Sequence, residues 1–183
     1  MCLHFQNETL IMTIKVGESG AKCISFPQKW NDRPHQPKKL QEVKSLTGEF
    51  QHNLDAKGRL FIPARLREEL GNVFYVTLSM DKCLSAYSGE SWQNFSDKVN
   101  AMPYVKQRKM RPLFAYASKC ELDTQGRILI PQNLRDFAGL NKNVTVVGCN
   151  NHAEFWDSDA WAEVNAVETT PENIAAVMEE LEF

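Results

Sequence analysis

No run of apolar residues in this 183-residue chain approaches the roughly 18 needed to cross a bilayer. Its first residues also lack a basic region followed by a continuous apolar segment. Neither a membrane span nor a secretory leader is expected, and a cytoplasmic location is. The five cysteines, Cys2, Cys23, Cys83, Cys120 and Cys149, contain no Cys-x-x-Cys pair, and His4, His35, His52 and His152 do not join them at metal-ligand spacing. They read as reduced thiols and ordinary histidines, and no metal site is expected. A zinc or thiol-redox site is the sharper alternative, since folding assembles ligands that spacing does not show. A Gly-rich phosphate loop, a nucleophile elbow and a metal motif are missing too. Nothing therefore points to an enzyme, a cofactor or a small-molecule substrate.

Lys and Arg are absent from residues 150 to 183, where nine acids stand: Glu154, Asp157, Asp159, Glu163, Glu168, Glu172, Glu179, Glu180 and Glu182. A net charge of −2 thus divides into +7 over the first 149 residues and −9 over the rest. A local basic face binds phosphate even when the sum is acidic, because screening over about 8 Å hides a distant acidic tail. With 43% apolar and 24% charged residues, the composition is that of an ordinary globular chain of one or two small domains.

What is present is stated nearly twice. Asn-Leu-Asp-Ala-Lys-Gly-Arg-Leu-Phe-Ile-Pro at 53–63 is echoed by Glu-Leu-Asp-Thr-Gln-Gly-Arg-Ile-Leu-Ile-Pro at 121–131. Moved forward 68 positions without a gap, the first copy matches the second at Leu54/Leu122, Asp55/Asp123, Gly58/Gly126, Arg59/Arg127, Ile62/Ile130 and Pro63/Pro131. The same offset pairs Leu66/Leu134, Arg67/Arg135, Gly71/Gly139, Val76/Val144 and Thr77/Thr145. Such sharing of turn, cap and core positions marks one supersecondary unit used twice.

Each copy predicts a strand, a tight turn, a return strand and a short helix. Gly58 and Gly126 supply the positive φ of a hairpin turn, and 60–62 and 128–130 are the return strands. Pro63 and Pro131 end the ladder, having no N–H to give, and suit the first turn of helices over 64–70 and 132–138. Gly71 and Gly139 close those helices. Third strands over 73–80 and 144–148 and fourth strands over 83–87 and 153–156 follow. A unit of about 45 residues encloses too little interior to stand alone. The two are therefore expected to share one core, with interleaved hairpins related by a pseudo-twofold axis.

The pattern Asp-x-x-x-Arg-x-x-Ile-Pro-x-x-Leu-Arg, present twice and followed each time by a Trp-containing helix, resembles the MraZ family of bacterial transcriptional regulators. That family is built from two SpoVT-AbrB (swapped-hairpin) domains, and the resemblance covers roughly residues 46 to 165. It implies an α+β fold with a β-barrel-like core of interleaved hairpins from two tandem copies and flanking amphipathic helices. It also implies a sequence-specific binder of double-stranded DNA that assembles with itself into a closed ring and is nucleoid-associated. The operator would be short repeats upstream of its own division and cell-wall gene cluster. The expected organisation is an irregular extension over 1–45, copy 1 over 46–95, a basic connecting segment over 96–117, copy 2 over 118–165 and an acidic helix over 166–183.

Arg59 and Arg127, just past the turns, are the leading DNA contacts, an assignment that rests on the resemblance more than on spacing. A guanidinium fork pairs with guanine O6 and N7 or with a phosphate. Lys57 at the first turn is a plausible phosphate contact, and Gln125 stands in its place in copy 2, so the halves are not expected to bind identically. Asp55 and Asp123 are expected to fix the turns as ion-pair partners, since a carboxylate facing phosphate repels it. Arg65, Arg67 and Arg135 on the short helices are weaker candidates, more readily solvated or paired with Glu68, Glu69 or Asp136. The segment holding Lys106, Arg108, Lys109 and Arg111 suits a phosphate-tracking patch, a subunit interface or the solvated face of a connecting helix. Pro112 is expected to interrupt that helix.

Two amphipathic helices carry Trp92, Phe95, Val99 and Met102, and Trp161, Val164 and Val167. A last helix, opened by Thr170-Pro171, sets Ile174, Val177, Met178 and Leu181 on one side and is expected to point away from DNA. In the family, copy 1 begins near the initiator Met, equivalent to about Ser45 or Leu46 here. Residues 1 to 44 are thus a natural tail or the result of a start codon placed too far upstream, and Pro27, Pro34 and Pro37 with Lys38, Lys39 and Lys44 suggest an irregular basic arm. Thr47 stands where the family commonly has Arg. The alternative to a DNA-binding regulator is a non-catalytic protein-interaction or antitoxin-like module on the same fold.

Overall fold

The computed structural model describes residues 45–182 and, before them, four two-residue strands, in a chain that divides into two units, Met1–Val43 and Lys44–Phe183. In the first unit β1 (His4–Phe5) pairs antiparallel with β2 (Glu8–Thr9), and β3 (Lys15–Val16) with β4 (Lys22–Cys23). The expected basic arm lies outside the described residues.

In the second unit, copy 1 supplies β5 (Leu46–Asn53), β6 (Arg59–Phe61), α1 (Ala64–Leu70), β7 (Val73–Leu78), β8 (Leu84–Ser88) and α2 (Gly89–Asn100). After α3 (Tyr104–Ala115), copy 2 supplies β9 (Ser118–Glu121), β10 (Arg127–Leu129), α4 (Gln132–Phe137), β11 (Asn143–Asn150), β12 (His152–Asp157) and α5 (Ser158–Glu168). α6 (Pro171–Glu180) ends the order. Among the described residues no helix is long and apolar enough to cross a membrane.

The expected local hairpins do not form. Each turn closes, with Asp55 N–H donating to Arg59 O at 2.9 Å and Asp123 N–H to Arg127 O at 2.8 Å. The return strands then pair with each other, Leu60 opposite Ile128, in a two-stranded antiparallel ribbon. Ile62 N–H donates to Gly126 O and Ile130 N–H to Gly58 O, which extends the exchange at both ends. Leu60 and Ile128 are thereby fully buried against each other's copy. No single 45-residue unit has enough interior to do this alone.

The remaining strands form a six-stranded antiparallel sheet of order β5-β11-β12-β8-β7-β9. It too is built across copies: β5 pairs with β11, β9 with β7, and at its centre β12 with β8, Glu154 opposite Ser85. Phe74, Val76, Leu84, Ala86, Val144, Val146, Ala153 and Phe155 point from it into one shared core with Ile62, Leu66, Ile130 and Leu134. Fully burying each large aliphatic or aromatic side chain stabilises by about 1.5–3 kcal/mol.

Two sequence expectations fail for definable reasons. The offset of 68 holds through α1 and α4 but not beyond. Leu122 N–H donates to Asn72 O, and Leu54 N–H donates to Lys142 O, so Asn72 is matched by Lys142 and the third strands run at an offset of 70. Copy 2 holds two extra residues after its helix, and the identities Val76/Val144 and Thr77/Thr145 are coincidences of an ungapped match. Pro112 does not interrupt α3, which runs on to Ala115. The proline removes one donor, and Tyr116 N–H still reaches Pro112 O at 3.0 Å to close the end.

Candidate nucleic-acid interface

Four residues of turn geometry place each leading arginine. Asp55 Oδ1 accepts the backbone N–H groups of Lys57 and Arg59, both at 2.9 Å, and its Oδ2 accepts Arg59 Nε at 2.7 Å. In copy 2, Asp123 Oδ1 accepts from Gln125 and Arg127 N–H at 2.9 Å, and Oδ2 accepts Arg127 Nε at 2.9 Å and Nη2 at 2.7 Å. An Asx turn of this kind lets a short side chain replace ladder bonds that a tight turn cannot make. The aspartates are therefore turn-fixing ion-pair partners, as their spacing suggested. Arg127 Nη1 also stands 3.8 Å from Asp55 Oδ2, which ties the two turns together.

On the ribbon, alternate residues face opposite ways. Leu60 and Ile128 point inward, so Arg59, Phe61, Arg127 and Leu129 share the outer face, with Arg59 across from Leu129 and Arg127 across from Phe61. The arginine side chains are 32% and 24% exposed, neither sealed in nor extended into solvent, while Leu129 is 59% exposed. Arg59 engages Asp55 through Nε, which leaves its terminal amino groups outside that ion pair. Lys57 is exposed at the tip.

Arg67 and Arg135 occupy places that no sequence signal disclosed. Both are half-buried and neither pairs with Glu68, Glu69 or Asp136; each guanidinium lies under the other copy's turn, and that of Arg135 also donates to Gln132 Oε1. A Cβ on Gly58 would stand 2.6 Å from Arg135 Cζ, and one on Gly126 would overlap the Arg67 guanidinium. With φ of 79° and 76° at these glycines the backbone disfavours any side chain there, and one would also push the guanidinium aside. Arg67 also sits 5.3 Å over the Phe61 ring, a cation–π distance, and His52 packs 5.1 Å from the same ring. The two arginines place positive charge directly beneath the ribbon turns. Arg65, by contrast, is exposed and bonds Thr47 Oγ1 at 3.0 Å.

Lys106, Arg108, Lys109 and Arg111 are all exposed on α3, together with Tyr104 and Val105. Among the described residues the ion pairs are Asp55 with Arg59 and Arg127, Asp123 with Arg127, and His152 with Glu154, so these four cations carry no carboxylate partner there. Outside the ribbon, the structure contradicts the expectation that no histidine joins a cysteine at ligand spacing. Cys149, His152 and Glu154 offer ligand atoms within 4.8 Å of one another. Cys149-x-x-His152 was the signal that could have found them.

The carboxyl of Asp123 is held down at about 2, first by the hydrogen bond from the Arg127 side chain and then by the backbone N–H of Arg127. That of Asp55 is lowered as well, chiefly by the Arg59 N–H. Since the folded state prefers the ionised form, the stabilisation is complete above the ordinary carboxylate range near 4 and disappears as pH falls towards 2. Urea midpoints measured across that window are expected to fall more steeply for the native protein than for Asp123→Asn. Parallel curves would contradict the role given to this carboxylate.

The model of the family described as "MraZ protein, putative antitoxin-like" matches residues 45–111 and 113–177, the break falling at Pro112 within α3. A protein of Acetivibrio thermocellus named transcriptional regulator MraZ is 44% identical over 135 residues, 72% of this chain and 94% of its own length. Proteins of the same name from Desulforamulus reducens and Carboxydothermus hydrogenoformans are 44% identical over 122 residues and 42% over 135. These alignments cover 65% and 72% of this chain, and 86% and 94% of the relatives.

Proposed function

Because this chain belongs to the MraZ family, we propose that it regulates transcription by binding double-stranded DNA through the β6–β10 ribbon. The observation that carries the reading is the pairing of Arg59 and Arg127 on one outward face of a two-stranded ribbon, each anchored by its own aspartate. A major groove about 12 Å wide admits such a ribbon, and a guanidinium held at its stem reads a guanine edge at a reduced entropic cost. Lys57, Arg65, Arg67 and Arg135 supply positive potential around two turns whose own Asp–Arg pairs are close to neutral. The cations of α3 are assigned to the phosphate backbone on either side.

The crossed strand pairing, with Leu60 facing Ile128 and Ser85 facing Glu154, supports a pseudo-twofold, swapped-hairpin body of two SpoVT-AbrB copies, over 46–95 and 118–165. Assembly into a ring repeats the ribbon, so that modest contacts per subunit add up over short operator repeats upstream of the gene's own division and cell-wall cluster. The work is non-catalytic and takes place in the cytoplasm, at the nucleoid. The exposed Ile174, Val177, Met178 and Leu181 of the acidic helix region favour a second, protein-interaction reading of that end of the chain.

Fluorescence anisotropy with labelled DNA from upstream of the gene tests the proposal. Saturable binding is expected that weakens as salt rises from about 50 to 200 mM; some three phosphate contacts correspond to a ~40-fold loss. Absence of binding, or binding indifferent to salt, would overturn the DNA reading and leave the interaction module.

A further inference from the structure

On the face of the six-stranded sheet opposite the shared core, the end of the β11–β12 hairpin gathers three different metal-binding side chains. Cys149 is the strand partner of His152, joined through Asn150, at φ 61°, and Asn151. Because side chains alternate along a strand, His152, Glu154 and Trp156 lie on one side while Ala153 and Phe155 enter the core. The Sγ, imidazole and carboxylate atoms fall within 4.8 Å of one another. All three residues are half-buried.

The hydrogen bonds around this cluster are those of an oriented ligand set. His152 Nδ1 stands 2.8 Å from Asn151 Oδ1, and its Nε2 stands 3.2 Å from Glu154 Oε1. Trp156 Nε1 holds the other carboxylate oxygen at 2.9 Å. Ligands about 2.0–2.2 Å from a tetrahedral zinc ion stand ~3.4 Å apart, and a thiolate at about 2.3 Å stands ~3.6 Å from either, so small side-chain adjustments complete the triangle. Second-shell anchoring of the histidine by a carbonyl and of the carboxylate by an N–H donor is the usual support of such sites.

We propose that Cys149, His152 and Glu154 form a site for a borderline-soft divalent cation of the zinc type. One thiolate, one imidazole and one carboxylate neutralise the ion, select it over magnesium or calcium, and leave a fourth position for water. Binding displaces the Sγ proton of Cys149 and any proton shared by His152 and Glu154. The site sits at the turn end of the hairpin, on the sheet face where Tyr87 stacks on His152 at 5.3 Å.

The test uses the full chain, reduced and stripped with chelator, titrated with Co²⁺ alone. A thiolate-to-cobalt charge-transfer band is expected that saturates near one equivalent per chain and is bleached by an equivalent of Zn²⁺. Cys149→Ser should abolish the band, His152→Ala and Glu154→Gln should weaken binding at least about tenfold, and Cys2→Ser, Cys23→Ser and Cys83→Ser should leave it. In the unmutated protein, bound Co²⁺ should also shield Cys149 from maleimide, a readout independent of variant folding. A missing band, a band retained in Cys149→Ser, or Cys149 labelled equally fast with and without metal would overturn the site.

Discussion

Alanine at both Arg59 and Arg127 is expected to lower affinity for upstream DNA by about 30-fold to 10⁴-fold, while fold and oligomer size are retained. Two guanidinium contacts worth about 1–3 kcal/mol each give that range. The loss exceeds what the contacts alone would cost in one respect. Asp55 and Asp123 each hold their arginine in a direct ion pair, so removing the cation leaves a bare carboxylate facing the phosphates. Folding should tolerate the change. Asp55 and Asp123 keep their backbone bonds to residues 57, 59, 125 and 127, and these partly exposed ion pairs contribute little to stability. The double variant is compared with native protein by gel shift and size-exclusion chromatography. An unaltered shift would move recognition away from the ribbon, first to the cations of α3.

Ile128→Ala is expected to reduce unfolding free energy by about 2–5 kcal/mol, and Leu60→Ala by a similar amount. Both side chains are fully buried and face each other where the ribbon joins the two copies. A cavity there loses contacts with both halves at once, and out of a total near 5–15 kcal/mol that is a large fraction. Because the residues touch, the double variant should depart from additivity. Urea unfolding measures all three. Losses below about 1 kcal/mol for both singles would mean that the ribbon is not part of the cooperative core.

Local conformation was legible in the sequence. Helix α1 runs from the residue after Pro63 to the residue before Gly71, and the φ of 79° at Gly58 is the one its turn demands. The Thr170 cap of α6 lies where its side chain can accept from the N–H three residues on. Such features depend on a few neighbouring residues. Partners did not follow in the same way. The strand over 59–61 carries nothing that distinguishes pairing with its own β5 from pairing with β10, and the extra residues of copy 2 are hidden by an ungapped match that happens to align valines and threonines. Arg67 looked like a helix-surface residue because the turn it covers is 59 positions away, at Gly126.

The sequence by itself determined that two related units exist, where their turns and short helices fall, and that arginine follows aspartate at a spacing of four in both. Tertiary structure alone decided that the return strands join each other and that Arg59 and Arg127 therefore share one ribbon face. The division has one physical cause. Turn and cap preferences are settled by sterics within a few residues, whereas strand partnership is settled by which arrangement buries Leu60 and Ile128 together, a comparison that involves both halves of the chain at once.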